Sequence, residues 1–204
     1  MNIFTNPIFT QYIDISSIEY ILELGTRDGV YTEDINRLYN PKIIYSIEAN
    51  PYLKNTIIHN QKHINNSKFY SIALADYDGS IDFYLHPDGG SSSIYKHLHD
   101  ETQKIHVDCL TLDNFCKIEN IQRLDLICAD VEGAEARIFK NSQILEQTKY
   151  IISEVKIEPS FKGYEFPGLN ELKASLEPIG FEMIATHMPA EVFGDSLWVN
   201  KKLI

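Results

Sequence analysis

Positive charge is scarce in this chain: 204 residues carry 18 Lys and Arg against 29 Asp and Glu, a formal net charge of −11. That imbalance repels phosphate backbones and anionic headgroups at long range, so neither nucleic acid nor a membrane is an expected partner. Cysteine is scarce too. Cys109, Cys116 and Cys128 are odd in number and lack metal-ligand spacing, which argues against a disulfide framework and a zinc site and for reduced thiols in a cytoplasmic protein. No Lys or Arg precedes Arg27, so the basic region of a secretory signal is missing. No uncharged apolar run approaches the ~20 residues that span a bilayer, and no fixed-period repeat is found.

What is present is ordinary globular composition, 44% hydrophobic and 23% charged. A chain of this size buries roughly 70% of its unfolded surface. A single domain over residues 1–204 is expected, with a small β insertion at about 80–110. Short, continuous apolar runs recur at Tyr20–Leu24, Ile43–Ile47, Phe69–Ala73, Asp125–Ala129 and Tyr150–Glu154. Runs without alternation suit strands covered on both faces, as in parallel sheets. Helical patterns lie between them at Val30–Tyr39, Pro51–Lys62, Ala134–Asn141 and Leu169–Pro178.

This alternation predicts a doubly wound, Rossmann-like α/β sandwich with ligands at the C-terminal ends of its strands. Ser80–His86 and Lys104–Leu110 alternate instead, as half-exposed strands of an insertion do. Phe181–Ala185 and Asp195–Asn200 read as a closing hairpin with an antiparallel edge. The Gly/Ser-rich stretch His86–Ser93 and the segment Lys156–Pro167 are expected as loops at the ligand-binding rim.

Two motifs carry chemistry. Glu23-Leu-Gly-Thr-Arg-Asp-Gly29 follows a strand and opens a helix, the context in which glycines let backbone approach a ligand. A dinucleotide fingerprint needs a further glycine where Arg27 stands, which disfavours a nicotinamide oxidoreductase. An acid at Glu23 suits a cationic amino acid or a sulfonium better than a pyrophosphate. About 20 residues on, Glu48 ends the second strand, where a carboxylate can accept hydrogen bonds from both ribose hydroxyls. Together these describe a pocket for a nucleoside with an amino-acid tail, and S-adenosylmethionine fits.

From about Tyr20 to Val199 the chain resembles the FkbM family of S-adenosylmethionine-dependent methyltransferases. The matching blocks are Glu23–Gly29, Ile47–Pro51, Ala73–Asp76 with Gly79, Thr111–Asp113 and, most specifically, Asp130-Val-Glu-Gly-Ala-Glu135. The resemblance implies a class I methyltransferase sandwich: a mostly parallel, seven-stranded sheet with an antiparallel C-terminal strand. It implies cofactor contacts from Glu23, Gly25, Thr26, Arg27, Gly29, Glu48, Ala49, Ala73 and Asp130. Its members O-methylate hydroxyls of sugars and polyketides, so a small-molecule acceptor, carbohydrate or similarly polyhydroxylated, is expected. The family's usual Lys is replaced by Cys128, and Arg27 replaces a smaller residue.

Methyl transfer to a hydroxyl needs a group that takes its proton. Asp130, with Glu132 and Glu154 nearby, is the leading catalytic candidate. Three carboxylates can also hold a divalent ion, although no metal is assigned, and the same acids can merely cap a helix. His97 and His99 could offer two ligands on one face of a strand but, with no third ligand at suitable spacing, are expected as an exposed polar patch. His187 is expected as a loop histidine or a base from the opposite rim, and Ser91, Ser92, Ser93 and Tyr164 as loop polar groups or acceptor contacts. The rival reading is a catalytically silent nucleoside-binding scaffold that presents its loops to a protein partner, suggested by Cys128.

Overall fold

The computed structural model describes residues 2–96, 101–156, 168–190 and 193–204. The main sheet is built from β1 (Tyr20–Leu24), β2 (Ile43–Ile47), β3 (Ser67–Tyr70), β7 (Leu124–Ala129), β8 (Thr148–Lys156), β9 (Phe181–His187) and β10 (Phe193–Asn200), in the order β3-β2-β1-β7-β8-β10-β9. The first five run parallel, and β10 lies antiparallel to both β8 and β9. The order reverses between β1 and β7, where an open α/β sheet leaves a crevice beyond its strand ends.

Each central strand buries both faces, which is why its sequence is continuously apolar. In β1, Leu22 and Leu24 join a core layer with Leu112, Phe115, Phe139 and Trp198. Ile21 faces the other layer with Phe4, Phe9, Ile35 and Cys128. That second layer is covered by α1 (Pro7–Thr10) and α2 (Tyr31–Tyr39), whose Ile35 and Tyr39 are buried against it. The helix α3 (Lys54–Gln61) follows β2, while α4 (Leu112–Ile118), α5 (Glu135–Phe139) and α6 (Leu169–Leu176) contribute to the first layer.

The expected strand Phe69–Ala73 is two strands. The chain leaves the main sheet after Tyr70 and re-enters pairing as β4 (Ala73–Ala75), parallel to β6 (Gln103–Thr111), which also pairs antiparallel with β5 (Gly79–Leu85). This three-stranded sheet packs its own cluster of Ala73, Ile81, Phe83, Val107 and Cys109. The helix α4 was not foreseen. Thr111 caps it by accepting from Asn114 N at 3.2 Å, and Asp113 accepts from Ser142 Oγ, Gln143 N and Ile144 N at 2.8–2.9 Å. The Thr111–Asp113 block thus ties α4 to the turn after α5. Among the described residues, no helix is long and apolar enough to cross a membrane.

Candidate active site

A cleft of about 300 Å³ opens at the C-terminal edge where β1, β2 and β7 meet. Its floor is the glycine turn after β1. Gly25 (φ 77°), Arg27 (φ 55°) and Gly29 (φ 78°) all take left-handed backbone, and Gly25 and Thr26 N–H donate to Ile47 O at 3.0 Å. Gly25 has no room for a side chain: a Cβ would lie 1.9 Å from the Asp130 carbonyl oxygen. Only glycine lets the β1 turn pass this close to the β7 end.

At one end of the cleft stands Glu48, whose carboxylate accepts from Arg27 N at 2.9 Å and Asn50 N at 2.8 Å. Burial pushes its pKa up, and these backbone donors oppose the shift. Ala49, Ile72, Ala73 and Phe83 give the adjoining wall an apolar face. The loop from Asp88 to Ser92 closes the outer side, its shape set by Asp88 accepting from Gly90 N, Ser91 N and Ser91 Oγ at 2.8–2.9 Å. The Arg27 guanidinium rests against this loop, 3.3 Å from where a Cβ on Gly90 would stand.

At the other end the chain gathers acids. Asp130, Glu132 and Glu154 each offer a carboxylate oxygen within 4.8 Å of the other two. Burial, followed by Glu132, Glu135 and Asp195, raises the Asp130 pKa to about 8. Burial and Asp130 push Glu154 well above the ordinary carboxylate range. The Lys156 ammonium lies 3.1 Å from Glu132 Oε2 and 3.2 Å from Glu154 Oε2. Glu135 accepts from Val131 N at 3.0 Å, and burial raises its pKa to about 7.

Of the residues expected to hold the cofactor, Gly25, Arg27, Glu48, Ala49, Ala73 and Asp130 line the cleft. Glu23, Thr26 and Gly29 do not. Strand alternation turns Glu23 away from the cleft and under the loop, where Thr32 Oγ1 donates to it at 2.7 Å. Gln61 Nε2 completes the network through Thr32 Oγ1, Ser46 Oγ and Thr26 Oγ1 at 2.8–3.3 Å. Glu23 Oε1 is sealed without a partner, and burial raises the pKa to about 7. Glu23 is thus buried beneath the turn and does not line the cleft. This acid shapes the turn from beneath.

Asp130 and Glu132 line the cleft; Glu154 stands behind them. Cys128 pairs in register with Glu23 and is fully buried in the layer facing α2, so the substitution there does not alter the cleft wall. Ser91 and Ser92 line the cleft, whereas Ser93 Oγ donates to Glu132 O at 2.9 Å. His187 sits on β9, its Nδ1 3.7 Å from Asp195 Oδ2, and is not a cleft residue. His97, His99 and Tyr164 lie outside the described residues. Sequence reasoning missed Lys156 and Asp195. Neither sits in a motif: Asp195 is brought beside Glu154 by the β8–β10 register, and Lys156 lies two residues beyond Glu154 on β8.

The Methyltransferase FkbM domain profile matches residues 23–183, which contain the whole cleft. The chain belongs to the FkbM methyltransferase family. Membership makes it a methyltransferase with S-adenosylmethionine as cofactor. The 2-O-methyltransferase NoeI of Sinorhizobium fredii is 28% identical over 202 residues, covering 90% of this chain and 80% of NoeI.

Among solved structures, the Methanococcus jannaschii fibrillarin pre-rRNA processing protein superposes with a TM-score of 0.57 at 14% identity, covering 96% of this chain and 76% of that one. M. capricolum TrmK, in complex with S-adenosyl-homocysteine, superposes with a TM-score of 0.56 at 10% identity over 98% and 69%. These likenesses establish the fold, a Rossmann-like methyltransferase sandwich.

The cleft suits this cofactor. Gly25 leaves the floor open, Ala49, Ile72 and Phe83 offer apolar surface for a base, and Glu48 offers a carboxylate for a ribose.

Proposed function

We propose that this methyltransferase O-methylates a hydroxyl of a sugar or related polyhydroxylated small molecule, using Asp130 as the proton acceptor. The observation that carries this reading is the placement of Asp130 on the cleft wall beside Gly25, with a pKa of about 8. A carboxyl of that pKa holds its proton at neutral pH and becomes able to take one from a hydroxyl as pH rises through about 8.

In this reading Glu48 binds the ribose, Gly25 and Arg27 border the amino-acid tail, and Ala49 and Ala73 flank the base. Glu23, Thr26 and Gly29 hold the turn in shape without touching the ligand. Bound S-adenosylmethionine supplies a methyl group activated by its sulfonium. Asp130 orients the acceptor hydroxyl and takes its proton, and the negative charge of Glu132 beside it raises its affinity for that proton.

The carbohydrate assignment draws on NoeI, named as a 2-O-methyltransferase. Asp130 and Glu132 on the cleft wall, with the Ser91 and Ser92 hydroxyls opposite, offer partners to a hydroxyl-rich ligand. A net charge of −11 speaks for a small neutral acceptor over nucleic acid, and three buried free thiols accord with a cytoplasmic location.

The test is methyl transfer from labelled S-adenosylmethionine to a panel of mono- and oligosaccharides, with RNA as a parallel arm. Label on a carbohydrate oxygen supports the reading. Label on RNA alone, with none on any sugar, overturns it.

A further inference from the structure

Three carboxyl oxygens within 4.8 Å of one another, drawn from Asp130, Glu132 and Glu154, cannot all carry charge unless a cation stands beside them. Metal enzymes meet that demand with a divalent ion, which holds oxygens at about 2.0–2.1 Å for Mg²⁺ or about 2.3–2.6 Å for Ca²⁺. Here an ammonium reaches the same acids. Lys156 is buried, and its Nζ stands 3.1 Å from Glu132 and 3.2 Å from Glu154. These longer distances are those of an N–H donor.

The source of this arrangement lies in the strand. Glu154 and Lys156 are two residues apart on β8, so the pleat delivers acid and cation to one face. Glu132 is brought to them by the turn after β7, where it adopts left-handed backbone (φ 54°) and Ser93 holds its carbonyl at 2.9 Å. Glu154 Oε2 is sealed from solvent and accepts no hydrogen bond of good geometry, although the ammonium is adjacent. An atom so placed is stabilised by a cation next to it and by nothing else among the described residues.

We propose that Lys156 is the built-in cation of this carboxylate trio, standing where a divalent metal would otherwise bind, and that it positions Asp130 by fixing Glu132 and Glu154. The positioning role rests on the proposed function; the cation's place does not. Two consequences follow. The wild-type chain has no saturable divalent site at the trio, and removing the ammonium exposes one.

The experiment uses the full chain after chelator treatment, with Ca²⁺ and Mn²⁺ titrated by calorimetry into wild type, Lys156→Ala and Lys156→Met. The methionine variant keeps an apolar stem in the buried site should alanine fail to fold. Expected is no saturable binding to wild type at about 1 mM ion, and one Ca²⁺ per chain in a folded variant, with affinity at least about 10-fold tighter than wild type. Adding Glu154→Gln should abolish the gained site.

In methyl transfer, Lys156→Met should lower kcat by about 10-fold or more with little change in KM for S-adenosylmethionine, and Ca²⁺ should restore part of it. Lys156→Arg should retain activity without added ion. Saturable binding to wild type at the trio overturns the proposal, as does a folded Lys156→Met or Lys156→Ala that gains no site. If no acceptor is ever methylated, the proposed function fails, while calorimetry still decides where the cation sits.

Discussion

Gly25→Ala is the substitution whose cost the structure defines most closely. Gly25 has φ 77°, and its Cβ would lie 1.9 Å from the Asp130 carbonyl oxygen, where contacts under 3.0 Å are essentially never seen. Left-handed backbone costs an alanine about 1–2 kcal/mol. Relief of the overlap requires the β1 and β7 ends to separate by about 1 Å, which weakens the bond from Asp130 N to Leu24 O, now 3.0 Å, at about 1 kcal/mol. The sum of about 2–3 kcal/mol lowers the Tm of a chain this size by about 4–12 °C.

The same movement displaces Gly25 and Asp130, which both face the cleft, so affinity for S-adenosylhomocysteine should fall by about 10-fold or more. Gly79→Ala is the control: φ is 141°, yet nothing lies within 4 Å of its Cβ, so it carries backbone strain without the contact. Differential scanning fluorimetry and calorimetry read both effects. If Gly25→Ala matches Gly79→Ala in Tm and binds the nucleoside as wild type does, the packing of the two strand ends does not shape the cleft.

Three further outcomes are expected. Because Asp130 must be ionised to accept a proton and its pKa is raised to about 8, kcat/KM should rise with pH through about 8; a profile flat from about pH 6 to 9 would contradict the assignment. Glu23 has its pKa raised from 4.5 to about 7, so the folded state holds its proton more tightly than the unfolded. Its stability contribution is full below about pH 4.5 and is lost as pH rises through about 7, and Glu23→Gln should gain on wild type by about 1–3 kcal/mol in denaturant titrations at pH 8 but not at pH 4.5. Glu48→Gln removes a charged acceptor at the nucleoside end of the cleft and sets an amide NH2 against Arg27 N or Asn50 N. S-adenosylhomocysteine binding should weaken by about 10-fold, read by calorimetry, and Tm of the unliganded protein should fall by about 2–4 °C for the lost bond.

The five apolar runs were legible because strands buried on both faces leave a continuous hydrophobic record, and β1, β2, β7 and β8 fall close to where that record places them. The third run was misread across Ser71 and Ile72, since composition does not reveal that the chain changes sheets there. The helix α4 hid behind β6 with no intervening loop; its signal was Thr111 followed by Asp113 and Asn114, a cap pattern overlooked beside the strand.

At the site, motif position identified Gly25, Glu48 and Asp130, but not which way neighbouring side chains point. Glu23 and Thr26 face the buried Thr32 and Gln61 network, a consequence of strand parity and of packing between β1, α2 and α3. Lys156 was invisible because its meaning lies in three-dimensional proximity to Glu132, from a different strand end. Cys128, which prompted the silent-scaffold reading, is buried in the layer away from the cleft.

The most direct test of the proposed chemistry is the single-turnover rate of methyl transfer to a sugar hydroxyl by Asp130→Asn, measured alongside its affinity for S-adenosylhomocysteine. The expected result is a rate lower by about 10²–10⁴-fold with binding nearly intact. A folded variant that transfers methyl groups at the wild-type rate would contradict the assignment of Asp130 as the base.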